Sequence, residues 1–299
     1  MCQEPRVIPL PYTAPFDRFA SPNMRDTEPT RNSAGVSWRT FSVLGLMAGL
    51  LSACDAQGPK PAFDLGTFAP ASLEEIIAHS HGLKAPGIEI EFISRQFLGV
   101  PYGESRLIGD ADTPETLTVN LAALDCYTYI DYVEALRRSS GYPDFRGQVA
   151  AVRYARGQVA WRTRHHFFSD WVGSGGPIRD VTAEVGGDAV VATVKHLNLD
   201  AAGAPVLKGV ATRVRRIVHI PSERLDQAVV GRLRTGDYVG VFAEAPWLDV
   251  THTGIVVKRP AGAGFRHASA ARGKRGVVEE DLAAYIRGKP GIVVYRAAP

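Results

Sequence analysis

The spacing of apolar residues changes along the chain, from a helical repeat in the first half to short strand-like runs in the second. Residues 73–78 and 88–98 carry apolar side chains three and four apart, which lines them along one helical face. Ser72 and Glu75 stand at capping-box spacing ahead of the first segment, and Gly82 closes it. Gly99, Pro101 and Gly103 then force a turn around Tyr102. A bounded apolar segment at 119–124 feeds a third predicted helix over 127–138, with Ile130, Val133 and Leu136 on one side and Ser139, Ser140 and Gly141 ending it. Beyond it, runs rich in Val and Ile and bounded by Gly, Pro or Asp predict strands over 149–154, 189–194, 210–220, 238–242, 254–258 and 292–295. A last helix is predicted over 278–287, closed by Gly288 and Pro290. Helices first and strands later define an α+β domain, and nothing interrupts the pattern after residue 70.

The first 70 residues follow another logic. Residues 40–51 form a short, mostly apolar run behind Arg39 that ends in Leu51-Ser52-Ala53-Cys54. The run is too brief for a permanent membrane span, while a basic flank, an apolar stretch and small residues before a cleavage position suit a secretory leader. Leu-Ser-Ala-Cys resembles the lipobox of bacterial lipoproteins. That resemblance implies removal of residues 1–53, acylation of Cys54 and anchoring to a membrane on the periplasmic side of the cell envelope. Residues 54–70, rich in Pro, Gly and Ala, form a tether, leaving 71–299 as a single domain. The first 23 residues hold several prolines and no export pattern, so Met24 is an alternative start that would eliminate Cys2.

Composition narrows the function classes. With 45% apolar residues the chain can bury a full core. The net charge is +3, and residues 1–53 hold five Arg against four acidic residues, so about +2 remains without them. So small and scattered an excess argues against nucleic acid as a partner. The chain lacks internal repeats with periods of about 20 to 50 residues, which argues against a solenoid or a propeller.

Once the leader is set aside, Cys126 is the single thiol, at a loop-to-helix junction. Exported proteins usually pair their cysteines or lack them, so a lone thiol there points to nucleophilic chemistry. The thiolate is the attacking form, and the positive end of a helix beginning at Cys126 is expected to favour it. An imidazole would accept the proton and return it to a leaving amine. His252 stands at the mouth of one predicted strand and His267 on the next, and a hairpin through 261–264 would join them, His252 as base and His267 fixing its tautomer. Asp125 is placed to cap the helix, and Asp131 lies in its first turn. The pairs His79/His81 and His165/His166 lack metal-site spacing and a cysteine partner, so no metal is expected. Residues 164–171 offer Arg164, His166 and Asp170 for sugar hydroxyls and acetamido groups and Trp171 for stacking; the alternative is that Phe167, Phe168 and Trp171 fill a core.

Five blocks occur in order: Phe97-Leu98-Gly99-Val100-Pro101-Tyr102, Leu124-Asp125-Cys126-Tyr127-Thr128-Tyr129-Ile130-Asp131, Arg164-His165-His166-Phe167-Phe168-Ser169-Asp170-Trp171, Gly236-Asp237-Tyr238-Val239 and Thr251-His252-Thr253-Gly254-Ile255. Together they resemble a bacterial family described as N-acetylmuramoyl-L-alanine amidase-like, itself similar to the NlpC-type papain-like cysteine peptidases, over residues 70–297. The resemblance implies a curved antiparallel sheet packed against helices, with the nucleophile at a helix N-terminus. It implies Cys126 as nucleophile, His252 as base, His267 as the orienting residue and Tyr102 beside the thiol at the oxyanion site, with no cofactor. The implied substrates are peptidoglycan fragments, muropeptides including the 1,6-anhydro type, cut between the lactyl group and L-alanine. Asp125 is a further candidate for substrate contact. Tyr127 and Tyr129 replace residues common around the family thiol, Thr253 replaces a frequent valine, and the interval from Cys126 to His252 is long. Two alternatives are cleavage between D-glutamate and the diamino acid of the peptide stem, and a non-catalytic wall-binding lipoprotein that kept the fold.

Overall fold

Pro70 and Pro86 each begin a helix, because proline at the first position loses no hydrogen bond and already holds a helical φ. The computed structural model describes residues 62–104, 107–173, 177–260 and 262–298. Cys54, the leader and most of the tether therefore lie outside the described residues. Helix α1 (Pro70–Gly82) opens three residues earlier than predicted, with Ala69 at its cap. Ser72 is the third helical residue, and its hydroxyl oxygen accepts the Ala69 N–H at 3.0 Å. Helix α2 (Pro86–Arg95) follows.

Helix α3 (Cys126–Arg138) is the centre of the molecule. It is buried from Cys126 to Leu136, so its polar residues need internal partners. Asp131 accepts from Arg153 Nε at 2.8 Å, and Glu134 from Arg137 at 2.7 Å and the Tyr238 hydroxyl at 2.9 Å. Arg153 ends helix α4 (Tyr142–Arg153), which corrects the strand predicted over 149–154. Phe145, Val149 and Val152 are buried at spacings of four and three, so their valines serve a helical face.

Short strands β1 (Phe63–Asp64) and β2 (Val119–Asn120) pair in parallel just before the Cys126 loop. The main sheet contains β3 (Ile178–Asp180), β4 (Val191–Leu197), β5 (Arg213–Pro221), β6 (Tyr238–Phe242), β7 (Val250–Arg259), β8 (Gly262–Ser269), β9 (Gly276–Asp281) and β10 (Gly291–Ala297). Its order is β4-β5-β10-β6-β7-β8-β9, with β3 beside β10, and the pairings within it are antiparallel. One core lies between the helices and one face, where Tyr129, Ile130 and Val133 meet Tyr238, Ile255 and Val293. A second core joins Val239, Val241, Val256 and Phe265 to Ile286 of the short helix α5 (Leu282–Ile286).

The helix predicted over 278–287 is thus a strand followed by one helical turn. Val277 and Val278 pair with Ala268 and His267, and Asp281 begins α5 by accepting the Ala284 N–H at 2.7 Å. The mixed helix and antiparallel sheet architecture is the α+β class expected from the pattern. Among the described residues, no helix is long and apolar enough to cross a membrane.

Candidate active site

Asp125 fixes where α3 begins. Its carboxylate accepts the Tyr127 and Thr128 N–H groups at 3.0 and 2.7 Å and the Thr128 hydroxyl at 2.9 Å, which leaves Cys126 as the first helical residue. The same loop is held from the other side by Tyr102, which forms a parallel bridge to Leu124 and lies under the Arg275 guanidinium at 5.6 Å. Tyr102 is therefore held against the segment that leads into Cys126.

Strands β7 and β8 pair only from Ile255↔Arg266 to Arg259↔Gly262, although both continue past Ile255 and Arg266. Cys126 meets β7 in this unpaired stretch. The Thr253 hydroxyl donates to the Cys126 carbonyl at 2.8 Å, and Thr253 is the neighbour that most opposes the effect of burial on the thiol. His252, the preceding residue, meets His267 across the same opening, its Nε2 2.8 Å from His267 Nδ1. His267 Nε2 is in turn 3.1 Å from Glu280 Oε1, and Glu280 also binds Lys274. Tyr285 of α5 packs at 5.9 Å from the His252 ring and 4.7 Å from that of His267. After burial, the charge of Cys126 is the next cause raising the Tyr285 hydroxyl.

The electrostatics differ from the expectation of a preformed thiolate. Cys126 is only 6% exposed, and burial, followed by the neighbouring Asp125 carboxylate, pushes its thiol up to about 12. Asp125 has also taken two N–H groups of the first turn, so the helix end offers the sulfur less than a free terminus would. The thiol is therefore protonated at neutral pH. Burial, then His267 and Lys289, holds His252 well below the ordinary imidazole range, and burial takes His267 down to about 4. Both rings are neutral at pH 7, the state in which an imidazole can accept a proton.

A cleft beside Cys126 is lined by His166, Phe167, Leu207, Trp247, Leu248 and Thr253, with the polar residues Asn198 and Asp249 set among otherwise mostly apolar walls. His166 is buried, and its Nε2 donates to the Trp161 carbonyl at 2.8 Å. Its Nδ1 has no hydrogen-bond partner, and burial brings the ring down to about 4, so the nitrogen keeps a lone pair at neutral pH. The structure does not bring Arg164, Asp170 or Trp171 to this cleft. Arg164 binds Glu115 through three contacts of 2.6 to 3.0 Å and covers Trp161. Asp170 accepts from Arg213 and Arg215 at 2.6 and 3.0 Å, and Trp171 packs on Tyr127 and Tyr238 in the core. Asp125 serves as the helix cap. Glu280 escaped the sequence because the strand that carries it resembled the start of a helix, and Tyr285 because its approach to the histidines depends on how α5 packs on the sheet. Among the described residues, no cluster of His, Cys, Asp and Glu suits a metal ion.

Residues 92–292, more than half of the chain, match the family model described as AmiA-like, N-acetylmuramoyl-L-alanine amidase-like. The class is thus an amidase-like hydrolase. The chain belongs to the N-acetylmuramoyl-L-alanine amidase-like family. Solved structures share the fold: an N-acetylmuramoyl-L-alanine amidase from Bacteroides uniformis aligns at a TM-score of 0.61 and 23% identity, over 72% of this chain and 99% of that one. A protein from Legionella pneumophila aligns at a TM-score of 0.62 and 18% identity, over 77% and 97% of the two chains. A comparison with curated proteins gives no match.

Proposed function

We propose that the protein is a cysteine amidase that hydrolyses the bond between the lactyl group of N-acetylmuramic acid and L-alanine in muropeptides, those with a 1,6-anhydro sugar included. The observation that carries this reading is the contact of Cys126 with Thr253 in the opening where His252 meets His267. A thiol at the start of a buried helix, set against an antiparallel sheet, also favours the papain-like NlpC-type fold.

In the proposed reaction the Cys126 sulfur bonds to the amide carbonyl carbon while His252 Nδ1 takes the thiol proton. With the thiol pushed up to about 12, proton loss and attack occur together, and no resting ion pair is needed. The oxyanion is met by the Cys126 N–H, with Tyr102 alongside. The tetrahedral intermediate collapses as His252 passes its proton to the amine nitrogen, the C–N bond breaks and a thioester remains. Water then gives a proton to His252 as its oxygen attacks the thioester, and the sulfur leaves with that proton as the acid is released. His166 Nδ1 accepts a hydrogen bond from a substrate N–H or O–H, and Leu207, Trp247 and Leu248 cover the adjoining methyl groups. We further propose export and anchoring through acylated Cys54, which would hold the enzyme on the periplasmic side of the envelope.

Product masses from defined muropeptides test the assignment. Wild type is expected to release the free sugar moiety and an intact peptide beginning at L-alanine, and Cys126→Ala to release neither while keeping a wild-type unfolding curve. Cleavage within the stem, or turnover by the folded Cys126→Ala variant, overturns it.

A further inference from the structure

Glu280 and Lys274 extend the pair His252–His267 into a chain of four groups whose hydrogen-bond direction is fixed at its outer end. An ionised carboxylate only accepts, so the Glu280 contact at 3.1 Å requires the proton of neutral His267 on Nε2. His267 Nδ1 then carries a lone pair, and the 2.8 Å contact requires His252 to donate from its own Nε2. His252 Nδ1 is left as the acceptor. Burial raises the Glu280 carboxyl, but hydrogen bonds from Lys274 and His267 outweigh it and keep the group ionised. Lys274 has only donors, so it demands an oxygen from whatever residue stands at 280.

The geometry points to Glu280 as a positioning residue, oriented by Lys274, that sets the tautomers of both histidines and so directs the basic nitrogen of His252 outward from the pair. This inference rests on the proposed role of His252, yet the tautomers can be observed without turnover. Glu280 is partly exposed, with side-chain exposure of 24%, and Lys274 is at 45%, so variants at either site disturb little packing.

The test compares Glu280→Gln with Glu280→Gln/Lys274→Met in the full chain. In the single variant Lys274 captures the amide oxygen and the amide NH2 faces His267. Both tautomers then reverse and His252 Nδ1 becomes a donor, as when the carboxylate of a serine-protease triad is replaced by its amide. In the double variant the amide is free to turn its oxygen toward His267. Nitrogen-15 spectra of labelled histidines at pH 7.5 are expected to show Nε2–H on His252 and His267 in wild type and the double variant, and Nδ1–H on both in the single variant. Turnover of muropeptide is expected to fall on the order of 100-fold in the single variant, the scale of a general base, and to recover in the double variant. Retention of Nε2–H on His252 in the single variant, or a double variant that stays reversed, overturns the inference. If the tautomers reverse and return as expected while wild type cleaves no muropeptide, the amidase assignment falls and the hydrogen-bond chain stands.

Discussion

Titrating the reactivity of Cys126 tests directly whether this site holds its sulfur as a thiol. Alkylation proceeds through the thiolate, and a free cysteine with a pKa of about 8.5 is roughly one quarter ionised at pH 8. With its thiol pushed up to about 12, Cys126 is ionised in about one molecule in 10⁴ at that pH, so labelling is slower on the order of 10³-fold. Burial slows the reagent at every pH, but it leaves the shape of the profile to the ionisation. Iodoacetamide modification is best followed by the mass of the peptide carrying Cys126, which separates it from Cys2 and Cys54. The expected rate climbs about tenfold per pH unit from pH 7 to pH 10 with no plateau. Thr253→Val removes the hydroxyl that binds the Cys126 carbonyl and works against the effect of burial on the thiol, and it is expected to lower the rate further throughout. A plateau beginning below pH 7 would show a preformed thiolate and refute the concerted proton transfer.

Three further outcomes follow from the same residues. His267 is 1% exposed, and its folded pKa of about 4 lies below the unfolded value near 6.5; the associated stability, about 3 kcal/mol, is present above pH 6.5 and lost as pH falls through 4. Urea midpoints at pH 7.5, 5.5 and 4 measure it, and unchanged midpoints would contradict the burial of neutral rings; kcat/KM is likewise expected to persist at pH 5.5. Arg153→Met leaves Asp131 buried without its ion pair and is expected to cost about 3 to 5 kcal/mol in urea unfolding, partly recovered by adding Asp131→Leu; a loss under 1 kcal/mol would exclude a structural role for the pair. His166→Phe replaces a residue that lines the cleft, removes its unpartnered buried Nδ1 and is expected to lower kcat/KM by about tenfold, the worth of one hydrogen bond; unchanged kinetics would remove His166 from the substrate site.

Much of the architecture was legible where a residue acts on its own neighbourhood. The cap at Asp125, the helix ending at Arg138 and strand β6 depend on local hydrogen bonding and alternation, and the structure keeps them near their predicted bounds. Residues 149–154 and 278–281 were misassigned because short valine-containing runs suit a strand or a helix equally. Packing against α3 selected the helix, and pairing with β8 selected the strand. The pairing of His252 with His267 was legible because a hairpin joins neighbours in sequence.

Sequence alone determined which groups are available: one thiol at a helix start, two histidines on successive strands, and the family those blocks resemble. Tertiary structure decided their charge states and partners. Burial and Asp125 keep Cys126 protonated, Glu115 and the arginines 213 and 215 occupy Arg164 and Asp170, and Glu280 closes on His267 from the next strand. Desolvation and long-range hydrogen bonds depend on what surrounds a group in space, and spacing along the chain carries no measure of either.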